Sequence, residues 1–288
     1  MDSRLMQISK EDLTKLEQAV VLLESPTLTA QITNLLGKVV KIDLLPNYIQ
    51  GKIVGIAEQA LDTIFNVASS TMEDKQKASS PLLHKLAAAA TGGAGGFFGM
   101  TAILVEMPIS ITIMMRSILD IAREEGFSLR SYETRMECIK VFGLGSNLSQ
   151  DDDESESGYF LSRVALDRIT QSLSKTAMEI AAKDIGVKQF ATTNIPSQII
   201  EPVSKAMIKL IQAVAQRFGI VLTEEAAAKL VPGLGAVTGS MLNTMFVDYY
   251  QDMAKGHFMV KKLEQKYSEE LIKTEYQRIY KQQKYQNK

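Results

Sequence analysis

Glu106 is the side chain whose position most suggests chemistry, because it ends an uncharged run (residues 86–105) and stands two residues before Pro108. Burial raises the pKa of a carboxyl group unless a nearby cation neutralises it. Arg163 and Arg116 are the candidate cations, but Arg116 lies ten positions on, about 280° around a continuous helix, so that pair requires a break at Pro108. A buried ion pair that fixes helix register is favoured over an active-site carboxylate and over a polar contact in a membrane or partner interface.

His257 is the second candidate for proton chemistry. It lies in the stretch KGHFMVKKLE, four residues after Met253 and four before Lys261, near the end of an amphipathic element. A single histidine in such a place is more often a hydrogen-bonded packing residue than a general base. We therefore expect packing, and keep Glu106, Arg116, Arg163 and His257 as the candidate catalytic set should the protein be an enzyme.

Local motifs give no support for a cofactor or metal. The chain has no G-x-S-x-G elbow, P-loop, H-E-x-x-H or paired-cysteine motif. The GGAGG run follows no predicted strand and is not followed by Walker-type Lys or Ser/Thr, so nucleotide binding is not expected. Two histidines far apart in sequence make a zinc site improbable.

Two apolar, glycine-rich segments must position these side chains. The first, residues 86–105, has five glycines within eight residues, and the second, residues 230–247, repeats the four-residue glycine spacing. Each glycine costs a soluble helix roughly 1 kcal/mol against alanine, so its retention indicates close packing, membrane insertion or a backbone approach to a ligand. We predict that both segments are helical and pack strip against strip at the centre of the domain. The packing residues are Gly92, Gly95, Gly96, Gly99, Gly235 and Gly239.

Insertion into a bilayer is the alternative for these segments. Residues 86–105 have the roughly 20 residues that a membrane span needs. However, Glu106 and Arg116 would then lie in or beside the membrane, which is costly. A buried core is therefore favoured over interfacial or conditional insertion, and both over a permanent span.

Composition narrows the class of protein. A net charge of −1 in 288 residues argues against nucleic-acid binding, because no excess of basic residues is present to displace counterions. A single cysteine, Cys138, excludes an intramolecular disulfide and fits a reducing compartment. The first residues have no apolar core of signal-peptide length. These features predict a cytoplasmic protein.

Apolar residues recur at helical spacing along almost the whole chain, and Ser9 with Asp12 resembles a helix-capping box. The fold class is therefore all-α. We predict one helical domain over residues 1–268, interrupted by an acidic, mobile loop at 146–157, and a charged tail at 269–288. The tail has few aliphatic residues past about Thr274, so it should fray; a solvated terminal helix is favoured over contact with a membrane surface.

Several ordered stretches resemble the EcsC family. They are TGGAGGFFGMTAILVEMPISITIMMRSILDIAREEGFS, SYETRMECIKVFGLGS, the stretch IPSQIIEPV to GSMLNTMF (residues 195–246), and HFMVKKLEQKYS, and they extend over residues 44–268. Where the family pattern usually has glycine after Lys-Tyr, this chain has Ser268. The polar positions that match the family are Glu106, Arg116, Glu133, Arg135, Arg163, Asn243, Asp248, His257 and Glu264.

The resemblance implies a bacterial, all-helical protein of unsettled biochemistry, and an association with membrane transport through an operon shared with an ABC transporter. Asn243 and Asp248 join the glycines as packing or interaction positions. The expected function is a non-catalytic interaction or regulatory protein at or near the inner membrane, whose partner is the membrane surface or a membrane protein such as an ABC transporter or a secretion system. One alternative is an enzyme that uses Glu106 and arginines on a lipid-like or peptide substrate. The other is a helical protein that inserts into membranes conditionally.

Overall fold

The computed structural model describes residues 8–36, 45–71, 100–129, 131–144, 157–181, 197–229 and 235–286, and the regular secondary structure in these ranges is entirely α-helical. The all-α prediction is confirmed. Nine helices lie in the described ranges: α1 Lys10–Leu23, α2 Leu28–Leu36, α3 Asn47–Thr71, α4 Met100–Glu124, α5 Tyr132–Leu144, α6 Gly158–Ala181, α7 Ser197–Lys229, α8 Gly235–Lys266 and α9 Glu269–Gln286.

Helix α8 is the centre of the fold. It packs against α1, α2, α4, α5, α7 and α9, and its apolar side chains from Leu242 to Leu263 lie in the core. A helix contacted on several sides cannot keep a wide polar face in water. Its polar side chains must therefore find partners inside the protein.

The start of α1 is fixed against the end of α8. Ser9 Oγ accepts a hydrogen bond from the Asp12 backbone N–H at 3.2 Å, so the predicted helix cap is confirmed. The Asp12 carboxylate also accepts from Lys266 Nζ at 2.5 Å and from the Tyr267 hydroxyl at 2.6 Å. These hydrogen bonds, with one that the Ser9 hydroxyl donates to Asp12 Oδ2 at 2.8 Å, lower the pKa of Asp12, and the contacts to Lys266 and Tyr267 hold the two helices antiparallel.

Helices α4 and α8 run parallel. Asn243 Nδ2 of α8 donates to Glu106 Oε1 of α4 at 2.5 Å, and Gln251 Nε2 donates to Ser117 Oγ at 2.8 Å, in the same chain order. The starts of both helices, Met100 and Gly235, therefore lie at the same end of the pair. Glycines 92–99 lie outside the described residues, as does the environment of Gly235 and Gly239, so the predicted strip-against-strip packing stays a prediction.

Two other glycines allow close helix contacts. A methyl group built at Gly256 of α8 would lie 2.6 Å from Leu23 Cγ and 3.2 Å from the Ala19 carbonyl oxygen of α1. One built at Gly219 of α7 would lie 2.6 Å from Val54 Cγ2 of α3. The two 2.6 Å distances are shorter than contacts between carbon atoms allow. An alanine at either position therefore requires the neighbouring helix or its side chain to shift.

The expected fraying of the tail is wrong for residues 269–286. Residues 269–286 form α9, which packs against α1 and α8 and buries Ile272, Tyr276 and Ile279. Two aliphatic side chains and one aromatic ring at positions i, i+4 and i+7 are enough to anchor one face of a helix.

The predicted acidic, mobile loop at 146–157 is wrong at its last residue, Ser157. Ser157 is fully buried, and its hydroxyl caps α6 by accepting from the Phe160 N–H at 3.2 Å. Residues 145–156 lie outside the described residues, so the expected mobility there stays a prediction. Within the described ranges, no helix combines the length and the apolarity that crossing a bilayer requires.

Replacement of glycine by alanine is predicted to change stability in opposite directions at close helix contacts and at open positions. Gly256→Ala and Gly219→Ala should lower the free energy of unfolding by about 1–3 kcal/mol, because the new methyl group overpacks a helix contact. Gly51 and Gly55 of α3 have nothing within 4 Å of an added methyl group. Gly51→Ala and Gly55→Ala should therefore raise stability by about 0.5–1 kcal/mol through helix propensity. Urea unfolding measures all four, and equal effects in both pairs would contradict the assigned contacts.

Candidate functional site

Glu106 lies in a small buried cluster between α4 and α8. Its side chain is largely buried, with the residue 6% exposed, and Oε1 accepts from Asn243 Nδ2 at 2.5 Å and from Ser110 Oγ at 3.4 Å. Asn243 Nδ2 also lies 3.3 Å from Ser110 Oγ. The burial expected for Glu106 is confirmed, and the three residues fix the register of α4 against α8.

The arginines expected beside Glu106 lie elsewhere. Helix α4 continues through Pro108, and Arg116 is exposed on its surface. Arg163 of α6 instead pairs with Glu264 of α8. The expected ion pair of Glu106 with either arginine is therefore wrong, because α4 does not break at Pro108 and because α6 packs beside the other end of α8.

His257 is the centre of a second buried cluster, formed with Glu137 of α5 and Tyr159 of α6. His257 is 0% exposed; its Nε2 lies 2.9 Å from Glu137 Oε2 and its Nδ1 lies 2.9 Å from the Tyr159 hydroxyl. A carboxylate can only accept, so Nε2 carries the proton and Nδ1 accepts from the Tyr159 O–H. Tyr159 in turn accepts from Arg163 Nη1 at 3.4 Å.

Two ion pairs extend this His257 cluster. Arg163 donates twice to Glu264, at 2.6 and 2.8 Å, a bidentate arrangement that suits the planar guanidinium. On α5, Lys140 Nζ donates to Glu137 at 3.0 Å and to Asp167 of α6 at 2.6 Å. The side chains of Arg163 and Lys140 are each only 4% exposed. Three helices are therefore joined by charges that water barely reaches.

Burial and neighbouring charges set the protonation states in this cluster. Burial lowers the pKa of His257 despite the hydrogen bond to Glu137, so the imidazole is neutral. Burial opposes ionisation of Glu137, but the Lys140 ammonium and the His257 hydrogen bond bring its pKa well below the usual range. Burial raises the pKa of the Tyr159 hydroxyl, which stays protonated, and likewise that of the Cys138 thiol.

A tyrosine, a neutral histidine and a carboxylate in line could relay a proton if a substrate reached them. Both ring nitrogens of His257 are already hydrogen-bonded, and the ring has no exposed surface. The expectation of a hydrogen-bonded packing histidine agrees with this geometry. Glu106, in contact with Asn243, belongs to a different helix pair, so the structure does not bring the candidate catalytic residues into one cleft.

The remaining family-matching positions fall into two environments. Arg135 of α5 is 4% exposed and Asp248 of α8 is half-buried, whereas Glu133 lies at the surface. Among the described residues, no group of three His, Cys, Asp or Glu side chains is arranged to hold a metal ion.

Sequence reasoning missed Glu137, Lys140, Tyr159 and Asp167. One signal was present in YETRMECIKVFGL: at 100° per residue, Glu133, Glu137 and Lys140 share one side of α5 and Arg135 lies on the opposite side, so charges are not confined to one face. A helix of that kind is either solvated all round or buried with its charges paired. The structure shows the second case, since Thr134, Arg135, Glu137 and Lys140 are all buried.

Removal of either partner of the Arg163–Glu264 ion pair is predicted to lower the free energy of unfolding strongly. Arg163→Met should lower the free energy of unfolding by about 3–5 kcal/mol, because the Glu264 carboxylate is left buried without its cation. The double variant Arg163→Met/Glu264→Met should lose less than the sum of the two single variants. Arg278→Met is the control, since Arg278 is exposed and its partner Glu275 is only partly buried, and it should cost no more than about 1 kcal/mol. Additive losses in the double-mutant cycle would contradict the pairing.

His257 predicts a pH dependence of stability. Its pKa is lowered in the folded state, so below about pH 6.5 the unfolded chain binds a proton that the folded chain refuses, and stability falls as the pH falls. The contribution is at most about 1.4 kcal/mol per pH unit. His257→Gln should therefore lose less stability than the wild type between pH 7.5 and 5.5 in urea titrations. Parallel pH curves for the two proteins would show that His257 titrates normally in the folded state.

The chain matches one known protein family over most of its length. A model of the EcsC protein family matches residues 7–263, which begins earlier than the resemblance over residues 44–268 and ends before α9. No curated protein and no solved structure matches the chain significantly. Since the family match covers well over half of the chain and contains Glu106, Asn243 and His257, the chain belongs to the EcsC protein family.

Proposed function

We propose that this protein is a non-catalytic interaction protein that associates with the bacterial inner membrane, either with the lipid surface or with a membrane protein. One observation carries the proposal: an exposed apolar face on α4 near its start. Val105 is 68% exposed and Ile109, one turn later, is 49% exposed, with the exposed Pro108 on the same side. Exposed aliphatic side chains in a row are typical of a contact surface.

The position of this α4 face supports the proposal. Helix α8 starts at the same end as α4, and its Met241 is 49% exposed there. The uncharged glycine-rich segments precede α4 and α8 in the sequence, so both join the described fold at this end. Val105, Ile109 and Met241 therefore expose apolar surface at the end where the two longest uncharged stretches join the described fold.

The polar clusters favour association over catalysis. Glu106, Arg163 and His257 are at most 6% exposed, and each is hydrogen-bonded to other side chains. A catalytic group must come within hydrogen-bond reach of its substrate. Their burial is what a register-fixing role requires.

The α4 face predicts the result of a binding experiment. Val105→Ser/Ile109→Ser should reduce cosedimentation with inner-membrane vesicles at least fivefold, because it removes apolar contact area. Ile220→Ser on α7 is the matched control, since Ile220 is 54% exposed on another helix. It should bind as the wild type does.

Further arms of this experiment separate the possible partners. Binding to protein-free lipid vesicles indicates the bilayer surface, whereas binding only to native vesicles, lost after protease treatment of those vesicles, indicates a membrane protein. Carbonate should release the wild type; resistance to carbonate would favour conditional insertion instead. Equal binding by Val105→Ser/Ile109→Ser and the wild type would overturn the proposed surface.

A further inference from the structure

Helix α9 is built as a separate helix. It follows a break at Tyr267–Ser268, where the Ser268 hydroxyl accepts from the Leu271 N–H at 3.2 Å and caps the new helix. The family match ends at residue 263, before this break. The domain that the family model accounts for therefore ends before α9 begins.

One narrow face attaches α9 to that domain. Ile272, Tyr276 and Ile279 are at most 2% exposed, and they follow the i, i+4, i+7 spacing by which an amphipathic helix enters a groove. The Tyr276 ring lies 4.9 Å from that of Phe160 and 5.6 Å from that of Tyr159, measured between centroids. Most of the remaining side chains of α9 are at least partly exposed.

The polar side chains of α9 contact complementary groups on the surface beneath the helix. The Tyr276 hydroxyl donates to Glu24 Oε1 at 2.8 Å, and Glu24 is otherwise held by the first N–H groups of α6. At the other end of the contact, Glu269 Oε1 lies 3.7 Å from the Arg163 guanidinium. The surface under α9 thus presents an acceptor for an aromatic hydroxyl and a cation for the acidic first turn of a helix.

The last turns of α9 do not fill the space beside them. A groove of about 580 Å³ remains between α1, α8 and α9, lined by Val21, Leu22, Met259 and Ile279 and by polar residues that include Gln18 and Gln283. Val21 is 58% exposed in this groove. The seat of α9 is therefore wider than α9 itself.

We propose that the surface formed by α1, α6 and α8 under α9 is a helix-binding site, and that α9 is its resident, displaceable ligand. The partner that fits is an amphipathic helix of another protein, with aliphatic, tyrosine and aliphatic anchors at i, i+4 and i+7 and an acidic first turn. Such a helix competes with α9 for Glu24, Phe160 and Arg163. This surface is separate from the α4 face, and the proposal does not depend on it.

A labelled peptide tests the site on the full-length protein. The probe is a fluorescent peptide with the sequence of residues 268–286, measured by anisotropy. In the chain variant Tyr276→Ala/Ile279→Ala, α9 is released and the probe should bind at least tenfold more tightly than to the wild type. Tyr285→Ala is the control variant, since Tyr285 is 78% exposed, and it should bind the probe as weakly as the wild type.

Two further measurements make the outcome decisive. An Ala-Glu-Lys host helix that carries only the Ile, Tyr and Ile anchors and an acidic first turn should compete with the probe, and the same host without anchors should not. In native-state hydrogen exchange of the wild type, α9 amides should exchange through an opening that leaves α1 and α8 protected. Failure of the released variant to bind the probe, or exchange of α9 only with global unfolding, would overturn the proposal, as would loss of the whole fold in Tyr276→Ala/Ile279→Ala.

Discussion

The fold depends on how the polar side chains of α8 are satisfied, because that helix runs through the middle of the helical domain. Between them they reach four neighbouring helices: Asn243 and Gln251 contact α4, His257 contacts α5 and α6, Glu264 contacts α6, and Lys266 contacts α1. Asn243, Gln251, His257 and Glu264 are spaced by six to eight residues, close to two helical turns. An apolar contact tolerates sliding, whereas a buried hydrogen bond is lost on a shift of one residue. The polar positions of α8 therefore specify where each neighbouring helix lies along it.

This role explains why residues with chemical potential are closed off from solvent. A buried carboxylate such as Glu137 is stable only with cations and donors around it, and those groups come from its own helix, α5, and from α8. The same hydrogen bonds that make the His257 cluster look like a proton relay fill both nitrogens of the ring. Buried polar clusters and catalytic sites are built from the same types of side chain. They differ in whether a substrate can reach those side chains. Here the α4 face is exposed and apolar, and the groove beside α9 is exposed and lined by both apolar and polar side chains.

The two proposed surfaces lie on different parts of the fold and differ in what they present to a partner. The α4 face is a row of aliphatic side chains without a partner in the described structure, next to the starts of α4 and α8. The seat of α9 already holds a helix, and its anchors Ile272, Tyr276 and Ile279 show what a competing helix must present. A protein with both surfaces could attach to a membrane through one and respond to a partner helix through the other.

The sequence by itself determined the fold class, the family and the burial of Glu106, because helical periodicity, ordered motifs and an uncharged run are local properties of the chain. It also determined the cap at Ser9, which involves residues three apart. Only the tertiary structure decided which charges meet: Arg163 reaches Glu264 across 101 positions, and His257 reaches Glu137 across 120. It also decided that α9 is docked, since a helix with few apolar residues folds back only where a matching groove exists. Local spacing cannot encode such contacts, because they depend on how whole helices are placed.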